Sequence, residues 1–268
     1  MYYCIADMIL EFRGDPPLED HKLWELFRTS APVPSDYIFI RRYVPQLPTS
    51  EEGHYFYDAV RRWHYAHSLE KGSVLHLDVL QEALPWGIQI HQLYEELALP
   101  HVLLQKQRLL LHASYIQHEG MGILFTAPSG TGKSTQADLW ALHRGAEILN
   151  GDRAVFGLRG DEPYAFGFPM SGSSSYCVNR SLPLRCIVSL RQAPENRIRL
   201  LKGREALRVI LNGTYSDPKH PGDFGLNMQT ALSLLSTPIF ELSCRPDLGA
   251  VETLEQAIRT LPPRRYSL

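Results

Sequence analysis

The sequence predicts an α/β fold with a mixed (α+β) sheet, preceded by a smaller β-rich N-terminal domain. An apolar run at residues 122–126 leads into a glycine-rich loop and then a helix-like segment. Strand-like segments outnumber helix-like ones after residue 114, so a purely parallel sheet is not expected. Residues 3–12 and 36–44 alternate polar with aromatic and β-branched residues, which is typical of strands. We therefore expect two domains, residues 1–100 and 101–268.

Composition limits the classes of protein that the chain can belong to. The 268 residues are 44% hydrophobic, which is enough for a real core, and the formal net charge is -2. Charges of both signs are mixed along the chain, so we expect neither a nucleic-acid partner nor a membrane surface as partner. The chain shows neither a basic, apolar leader nor an apolar run near about 18 residues, so we expect a cytoplasmic protein.

The cysteines give no sign of a metal or redox motif. They are widely spaced and match neither a zinc knuckle nor a C-x-x-C pair, so we expect reduced, partly buried thiols at Cys4, Cys177, Cys186 and Cys244.

In the N-terminal region, we expect an antiparallel sheet that presents a ligand-binding surface. A short helix is predicted at residues 20–28, and residues 45–53 are a proline-containing loop. The aromatic segment at residues 55–67 suits either a strand or a helix.

Two helices are predicted where the domains join. Residues 89–99 have helical periodicity, Pro100 interrupts it, and residues 101–111 are expected to continue as a second helix leading into His112.

The second domain contains most of the predicted strands. A turn at residues 159–163 predicts a hairpin, and helices are expected to begin after Ser134, Arg204, Gly225 and Gly249. The predicted strands are residues 114–117, 122–126, 146–150, 154–158, 164–168, 185–190 and 239–244.

Residues 127–135 match the phosphate-binding pattern G-x-x-x-x-G-K-[ST] at every fixed position but the first. In this pattern backbone N–H groups surround the phosphates, the lysine reaches the outer phosphoryl oxygens, and the hydroxyl binds Mg²⁺. Lys133 is thus the predicted cation and Ser134 the predicted metal ligand. Ala127 replaces the first glycine, which is tolerated if its φ stays negative. The predicted nucleotide-binding residues are Ala127, Pro128, Ser129, Gly130, Thr131, Gly132, Lys133, Ser134 and Thr135.

The context of this loop separates it from a chance glycine-serine turn. A strand precedes it, and a helix follows that ends at Gly145, a residue typical of helix C-termini. The free N–H groups and the dipole at a helix N-terminus favour an anion. We therefore expect the chain to bind a nucleotide.

Asp152 follows the strand after the predicted loop and helix. In enzymes with such loops, a carboxylate at the end of a neighbouring strand holds Mg²⁺ or accepts the proton of an attacking hydroxyl. The structural alternative is a turn residue that pairs with Arg153. The phosphate-binding loop with Asp152 nearby is typical of phosphoryl transfer, which needs alignment and charge neutralisation more than covalent help.

At these residues the chain resembles the HPr kinase-like family, a phosphoenolpyruvate carboxykinase-type P-loop kinase group that is typically bacterial. The resemblance covers roughly residues 100–245 and rests on four segments in order: residues 111–114, 127–135, 147–153 and 167–172, the last followed by Asn179. It implies that Lys133 and Ser134 act on the phosphates, that Asp152 deprotonates the acceptor hydroxyl, and that His112 lies beside the phosphates. From the residues alone, His112 would be a packed histidine at a strand end.

The resemblance implies an ATP-dependent kinase with ATP and Mg²⁺ as cofactors, and it suggests a homo-oligomer. It also implies a nucleotide-binding catalytic domain at residues 101–268. Residues 1–100 give no match to the enzymes that regulate HPr, and we expect them to form a substrate or partner recognition region. Gly151 replaces the first of two adjacent aspartates typical of the family, so their shared role falls on Asp152. No phosphorylase motif aligns, so we do not expect the reverse activity.

Three functions stay open. A kinase that acts on a serine or threonine of a protein or peptide is the first hypothesis. A non-catalytic binding protein that changes shape with ATP or ADP is the runner-up, and a kinase that acts on a small hydroxyl compound is the less favoured enzyme alternative. The serine-rich segment at residues 171–176 is either a mobile loop that lines an acceptor site or an ordinary polar loop.

Overall fold

The structure, a computed structural model, describes residues 1–14, 22–30, 34–86, 97–172 and 174–262. The described chain forms two compact units. Unit 1 comprises Met1–Lys106 together with Ser216–Asp223, and unit 2 comprises Gln107–Tyr215 and Phe224–Leu268. The short segment Ser216–Asp223 therefore belongs to the N-terminal unit although the chain around it belongs to the second.

Unit 1 is built on a seven-stranded sheet with the order β3-β1-β2-β4-β7-β6-β5. Its strands are β1 (Tyr2–Ile5), β2 (Met8–Arg13), β3 (Arg28–Thr29), β4 (Tyr37–Val44), β5 (His54–Asp58), β6 (Trp63–Lys71) and β7 (Val74–Leu80), and its helices are α1 (Lys22–Glu25) and α2 (Leu99–Leu104). Edge-to-face aromatic contacts of Trp24 with Tyr3 and Phe12 hold α1 against this sheet.

The prediction of an antiparallel N-terminal sheet is wrong, because β4 pairs in parallel with both β2 and β7. The physical reason lies in the connections. The chain from β2 to β4 passes through α1 and β3, and the chain from β4 to β7 passes through the β5–β6 hairpin. Both connections are long enough for a crossover, which parallel neighbours require.

One helix prediction near the start of the chain is changed by the structure, and another lies mostly outside the described residues. The helix predicted at residues 20–28 is shorter, since α1 is followed by the strand β3; residues 20 and 21 lie outside the described chain. Most of the helix predicted at residues 89–99 also lies outside it. The aromatic segment at residues 55–67 forms parts of β5 and β6, with a turn between them.

Unit 2 is also a mixed α/β structure, as predicted, with eight strands in one sheet. The strands are β8 (Arg108–His118), β9 (Met121–Thr126), β10 (Glu147–Asn150), β11 (Arg153–Arg159), β12 (Glu162–Phe166), β13 (Ser181–Gln192), β14 (Arg197–Leu201) and β15 (Ile239–Cys244). The helices are α3 (Lys133–Arg144), α4 (Gly203–Gly213), α5 (Phe224–Ser233) and α6 (Leu248–Arg259).

The helix predicted at residues 101–111 is wrong in its second half. Helix α2 ends at Leu104, and Gln107 adopts a φ of 54°, which a helix cannot continue through. Arg108–His118 is instead a strand, with Leu111 paired to Ala154 of β11. The consecutive leucines of this strand are buried, so the run lacks the alternation that marks a half-exposed strand.

The long strands β8 and β13 organise the sheet of unit 2. Strand β8 pairs antiparallel with β11, β9 and β10. Strand β13 pairs antiparallel with β12 and in parallel with β9 and β15. The path β8-β11-β12-β13-β9 consequently returns to β8 and closes on itself. Trp140 of α3 and Leu254 of α6 are fully buried in the core that covers β9, β13 and β15.

Among the described residues, no helix combines the length and the apolar character needed to cross a bilayer.

Arg185 fixes the end of α6 from within the sheet. The side chain of this nearly buried residue donates hydrogen bonds to the carbonyls of Ile258, Leu261 and Pro262 at 2.8, 3.1 and 2.8 Å. These carbonyls lie at the helix C-terminus, where backbone acceptors have no helical partner and a cation is favourable.

We expect Arg185→Met to lower the free energy of unfolding by about 2–3 kcal/mol, because the partly buried carbonyls at the end of α6 lose charge-assisted partners. Urea denaturation would measure the change. Arg197→Met is the matched control, since the Arg197 side chain is 78% exposed, and its cost should stay within about 0.5 kcal/mol. An equal loss in both variants would contradict the role given to Arg185.

Candidate functional site

The 127–135 loop connects the centre of the unit 2 sheet to a helix. Strand β9 is paired on one edge with β8 and on the other with β13, and its last residue, Thr126, leads into the loop. Helix α3 begins at Lys133. The loop therefore begins at the end of a buried strand whose two neighbours fix its position.

The loop backbone depends on its glycines. Gly130 has a φ of 76° and Gly132 a φ of 116°, a region that other residues rarely adopt. Ala127 does not share this region, so its replacement of a glycine is tolerated as predicted. An added Cβ at Gly130 or Gly132 would have no atom within 4 Å, so the space beside the loop backbone is open.

The first turn of α3 is free to bind an anion. Gly132 is the N-cap residue and provides no side-chain acceptor for the N–H groups of that turn. Unsatisfied N–H groups and the helix dipole give this end a partial positive charge. The open space and the donor set thus fit a phosphate group, for which Ser134 and Thr135 offer exposed hydroxyls.

Lys133 is held inside the loop. Its Nζ donates a hydrogen bond to the carbonyl of Ala127 at 3.1 Å, and the residue is only 7% exposed. Burial lowers the pKa of the ammonium, while the nearby negative charge of Asp152 opposes this shift. The ammonium of Lys133 therefore binds the loop backbone and also attracts the carboxylate of Asp152.

Asp152 lies in the turn between β10 and β11, and Asn150 shapes this turn. The fully buried Asn150 accepts hydrogen bonds from the backbone N–H groups of Asp152 and Arg153, both at 2.9 Å. Its amide donates to the carbonyls of Phe168 and Met170. Sequence reasoning missed Asn150, although an asparagine two residues before an aspartate is a known signal for a side-chain-stabilised turn.

The Asp152 carboxylate contacts two basic side chains. Its Oδ1 lies 3.2 Å from His112 Nε2, and its Oδ2 lies 3.4 Å from Arg153 Nε. The interaction with His112 lowers the pKa of Asp152; burial opposes this, and Arg153 and Lys133 add to the lowering. Asp152 is consequently ionised at neutral pH. The pairing with Arg153, which was the structural alternative for Asp152, is therefore present, and the role of Asp152 as a base or metal ligand stays a prediction.

Arg153 and Tyr215, which were not among the predicted site residues, lie next to His112 and Asp152. The Arg153 guanidinium lies over the ring of Tyr215, 5.0 Å from its centroid, and the ring of His112 lies 6.0 Å from the same ring. Tyr215 also donates its backbone N–H to Leu110 of β8 at 2.8 Å. No local motif signals Tyr215, because its approach depends on the return of the chain to β8.

Two glycines bring the chain close to Asp152. Gly172 has a φ of 59°, and a Cβ there would lie 2.7 Å from the Asp152 Cγ. A Cβ at Gly151 would lie 2.2 Å from the Ser174 Oγ. An aspartate at position 151, which the resembled family would carry, does not fit unless Ser174 moves. The contact with Ser174 therefore favours glycine at position 151.

The 171–176 segment is ordered by its own hydrogen bonds where it is described. Ser171 Oγ donates to the Ser174 carbonyl at 2.6 Å, and the Tyr176 N–H donates to Ser174 Oγ at 3.1 Å. Ser173 lies outside the described residues. The predicted role as a mobile acceptor loop stays a prediction.

A cavity of about 310 Å³ lies beside the loop, near the carboxyl ends of β13 and β15. It is lined by Thr131, Thr135, Gln192 and Arg245, among others. Gln192 Nε2 also approaches the carbonyls of Gly130 and Thr131, each at 3.4 Å. Pockets for small ligands are commonly about 300–1,000 Å³, so the cavity is large enough for part of a nucleotide.

Of the predicted catalytic residues, His112 and Asp152 are in direct contact, and Lys133 is close enough for its charge to affect Asp152. The predicted magnesium ligand Ser134 lies exposed on the first turn of α3. The roles of these residues stay predictions.

Comparison with known proteins gives only a weak likeness of fold. No family model matches the chain, and no curated protein matches its sequence. Among solved structures, the chain is similar to the Hpr(Ser) kinase/phosphatase from Coxiella burnetii, with 14% identity and a TM-score of 0.35, over 56% of this chain and 95% of that chain. At this level the likeness assigns neither a family nor an activity, and the resemblance stated from the sequence motifs stays a prediction.

We expect Gly172→Ala to cost about 1–2 kcal/mol for its positive φ, plus a further loss because the new methyl group displaces Asp152. Gly160→Ala is the matched control, since Gly160 has a φ of 61° with open space around it. Urea denaturation of both variants would measure the difference. If the two variants lost equal stability, the close packing of Gly172 on Asp152 would be wrong.

Proposed function

We propose that this protein is an ATP-dependent kinase that phosphorylates a hydroxyl group, with a serine or threonine of a protein or peptide as the acceptor. The observation that carries the proposal is the ionised Asp152 against His112, within the electrostatic reach of Lys133 and its open, glycine-shaped loop. A phosphate-binding loop and a nearby base are the two parts that phosphoryl transfer to a hydroxyl requires.

In this proposal the loop binds the phosphates of ATP. The backbone N–H groups around Gly130 and Gly132 and the first turn of α3 donate to phosphate oxygens. Lys133 would leave the Ala127 carbonyl to neutralise the outer phosphates, and the Ser134 hydroxyl would hold Mg²⁺. Bound Mg²⁺ supplies further neutralisation of the charge on the transferred group.

Asp152 acts as the base. As the acceptor oxygen bonds to the terminal phosphorus and the bond to the leaving ADP oxygen breaks, the hydroxyl proton passes to the Asp152 carboxylate. His112 is a positioning group that holds one carboxylate oxygen, so that the other can face the acceptor. The lowered pKa of Asp152 keeps the carboxylate ionised at neutral pH. The carboxylate takes the proton as the bond to phosphorus forms, because the hydroxyl becomes more acidic at that point.

We expect Asp152→Asn to lower kcat by about 10²–10⁴-fold, the usual contribution of a positioned base, with little change in ATP affinity. Asparagine keeps the shape of the side chain and a contact for His112 but cannot take the proton. Asp161→Asn is the control, since Asp161 is exposed in the turn between β11 and β12 and should leave kcat unchanged.

Mass spectrometry after incubation with ATP, Mg²⁺ and either peptides or a metabolite pool would measure the transfer. A peptide heavier by one phosphoryl group supports the proposal, and a phosphorylated metabolite alone would replace the peptide acceptor with a small molecule. Binding of ATP with no phosphorylated product from either pool would overturn the kinase proposal in favour of a nucleotide-responsive binding protein. Full transfer activity in Asp152→Asn would remove the base role.

A further inference from the structure

Strand β9 separates the candidate base from the cavity beside the phosphate-binding loop. Ala113 of β8 and Ser189 of β13 both pair with Thr126, the last residue of β9. The next residue toward the loop is His112 on one edge and Leu190 on the other, and Leu190 lines the cavity. Because neighbouring strands lie about 4.8 Å apart, about 10 Å of sheet separates the His112 side from the cavity side.

The direction of phosphoryl transfer assigns one side of the loop to each substrate. The attacking and leaving oxygens lie roughly in line through the transferred phosphorus. In the proposed function, on which this inference rests, the acceptor hydroxyl meets the phosphorus on the side of Asp152. The oxygen of the leaving ADP then lies on the opposite side, so the rest of the nucleotide extends toward β13 and the cavity.

The cavity begins at the loop itself and has the walls of a small-ligand site. One wall consists of the glycine-rich loop and the first turn of α3, so phosphates bound there lead directly into the cavity. Leu190, Ala193 and Pro246 add apolar surface, and the exposed Gln192 and Arg245 add polar groups. Ligand sites commonly combine apolar walls with a few polar groups, which suits the flat faces and polar edges of a nucleoside.

A buried amide in the wall of the cavity has an acceptor without a partner among the described residues. Gln136 of α3 lines the cavity and is only 2% exposed. Its Nε2 donates to Cys244 Sγ at 3.5 Å, a weak contact, and its Oε1 accepts no hydrogen bond. Buried polar groups are nearly always hydrogen-bonded, so this oxygen calls for a donor. An amino or hydroxyl group of a bound nucleoside would supply one once the amide turns toward it.

The wall after β15 is preformed. The backbone N–H of Arg245 donates to Asn196 Oδ1 at 2.9 Å, and Asn196 Nδ2 donates to Asp247 Oδ1 at 2.8 Å. Asp247 also caps α6 by accepting from the N–H of Ala250 at 3.1 Å. These bonds hold the residues after β15 in one conformation, so the cavity is shaped before a ligand binds, which favours affinity.

We propose that this cavity binds the nucleoside of ATP, with the base against Leu190, Ala193 and Pro246 and with Gln136 and Arg245 as polar contacts. The acceptor then approaches the transferred phosphate from the β8 side of the loop. Nucleotide preference is set on one side of β9 and acceptor preference on the other.

Titration calorimetry of the full chain with MgATP and with magnesium tripolyphosphate tests the proposal, because tripolyphosphate has three phosphates and no nucleoside. Ala193→Leu narrows the cavity without changing the loop. We expect this variant to bind MgATP at least about 10-fold more weakly than the wild type and to bind tripolyphosphate equally well. Ala59→Leu is the matched control, since Ala59 is exposed in the turn between β5 and β6 and should leave both affinities unchanged.

The outcomes distinguish the nucleoside site from the proposed function. An equal loss of both ligands in Ala193→Leu, or no loss of either, would overturn the nucleoside site and leave the kinase proposal standing. A wild-type chain that binds neither ligand would overturn both.

Photolabelling of the wild type with 8-azido-ATP keeps the proposal falsifiable if Ala193→Leu does not fold. We expect label in peptides that contain residues 190–193 or 244–246, and excess ATP should prevent it. Label that ATP displaces but that falls only on residues 108–118 or 150–159 would place the base on the acceptor side and overturn the proposal.

Discussion

The candidate site in unit 2 depends on the pairing of β9 along both of its edges. Antiparallel hydrogen bonds to β8 and parallel hydrogen bonds to β13 fix the direction of β9 and the position of its last residue, Thr126. The 127–135 loop and the start of α3 follow from that point. Strand β8 carries His112, and its partner β11 follows the turn that carries Asp152. One set of backbone hydrogen bonds therefore holds the loop and the acid–histidine pair in a common frame.

The charge arrangement within this frame is equally constrained. Asn150 uses its amide on two carbonyls and its oxygen on two backbone N–H groups, so the turn at Asp152 has little freedom. Gly172 packs so closely that any side chain there would meet the carboxylate. A carboxylate that is held in one position and ionised can orient an acceptor hydroxyl with little rearrangement, and such orientation is a large part of what phosphoryl transfer requires.

The sequence predicted the parts of the fold with strong local signals. The loop, the helix ending at Gly145 and the strand at residues 239–244 each combine a periodic pattern with a glycine or an apolar run, and the structure has them. The strand at Arg108–His118 was misassigned because its leucine run is buried without alternation and suits either a helix or a strand. The place of Tyr215 and the cavity at the ends of β13 and β15 could not be predicted, since the residues concerned meet only through tertiary contacts.

The central claim is that the 127–135 loop binds the phosphates of a nucleoside triphosphate through Lys133. Titration calorimetry with MgATP measures this directly, in the wild type and in Lys133→Met. The account predicts one binding site per chain in the wild type, and a loss of about 10–100-fold in affinity in the variant, because a charge-assisted hydrogen bond contributes about 1.5–3 kcal/mol. A wild-type chain that binds no nucleotide, or an equal affinity in both proteins, would contradict it.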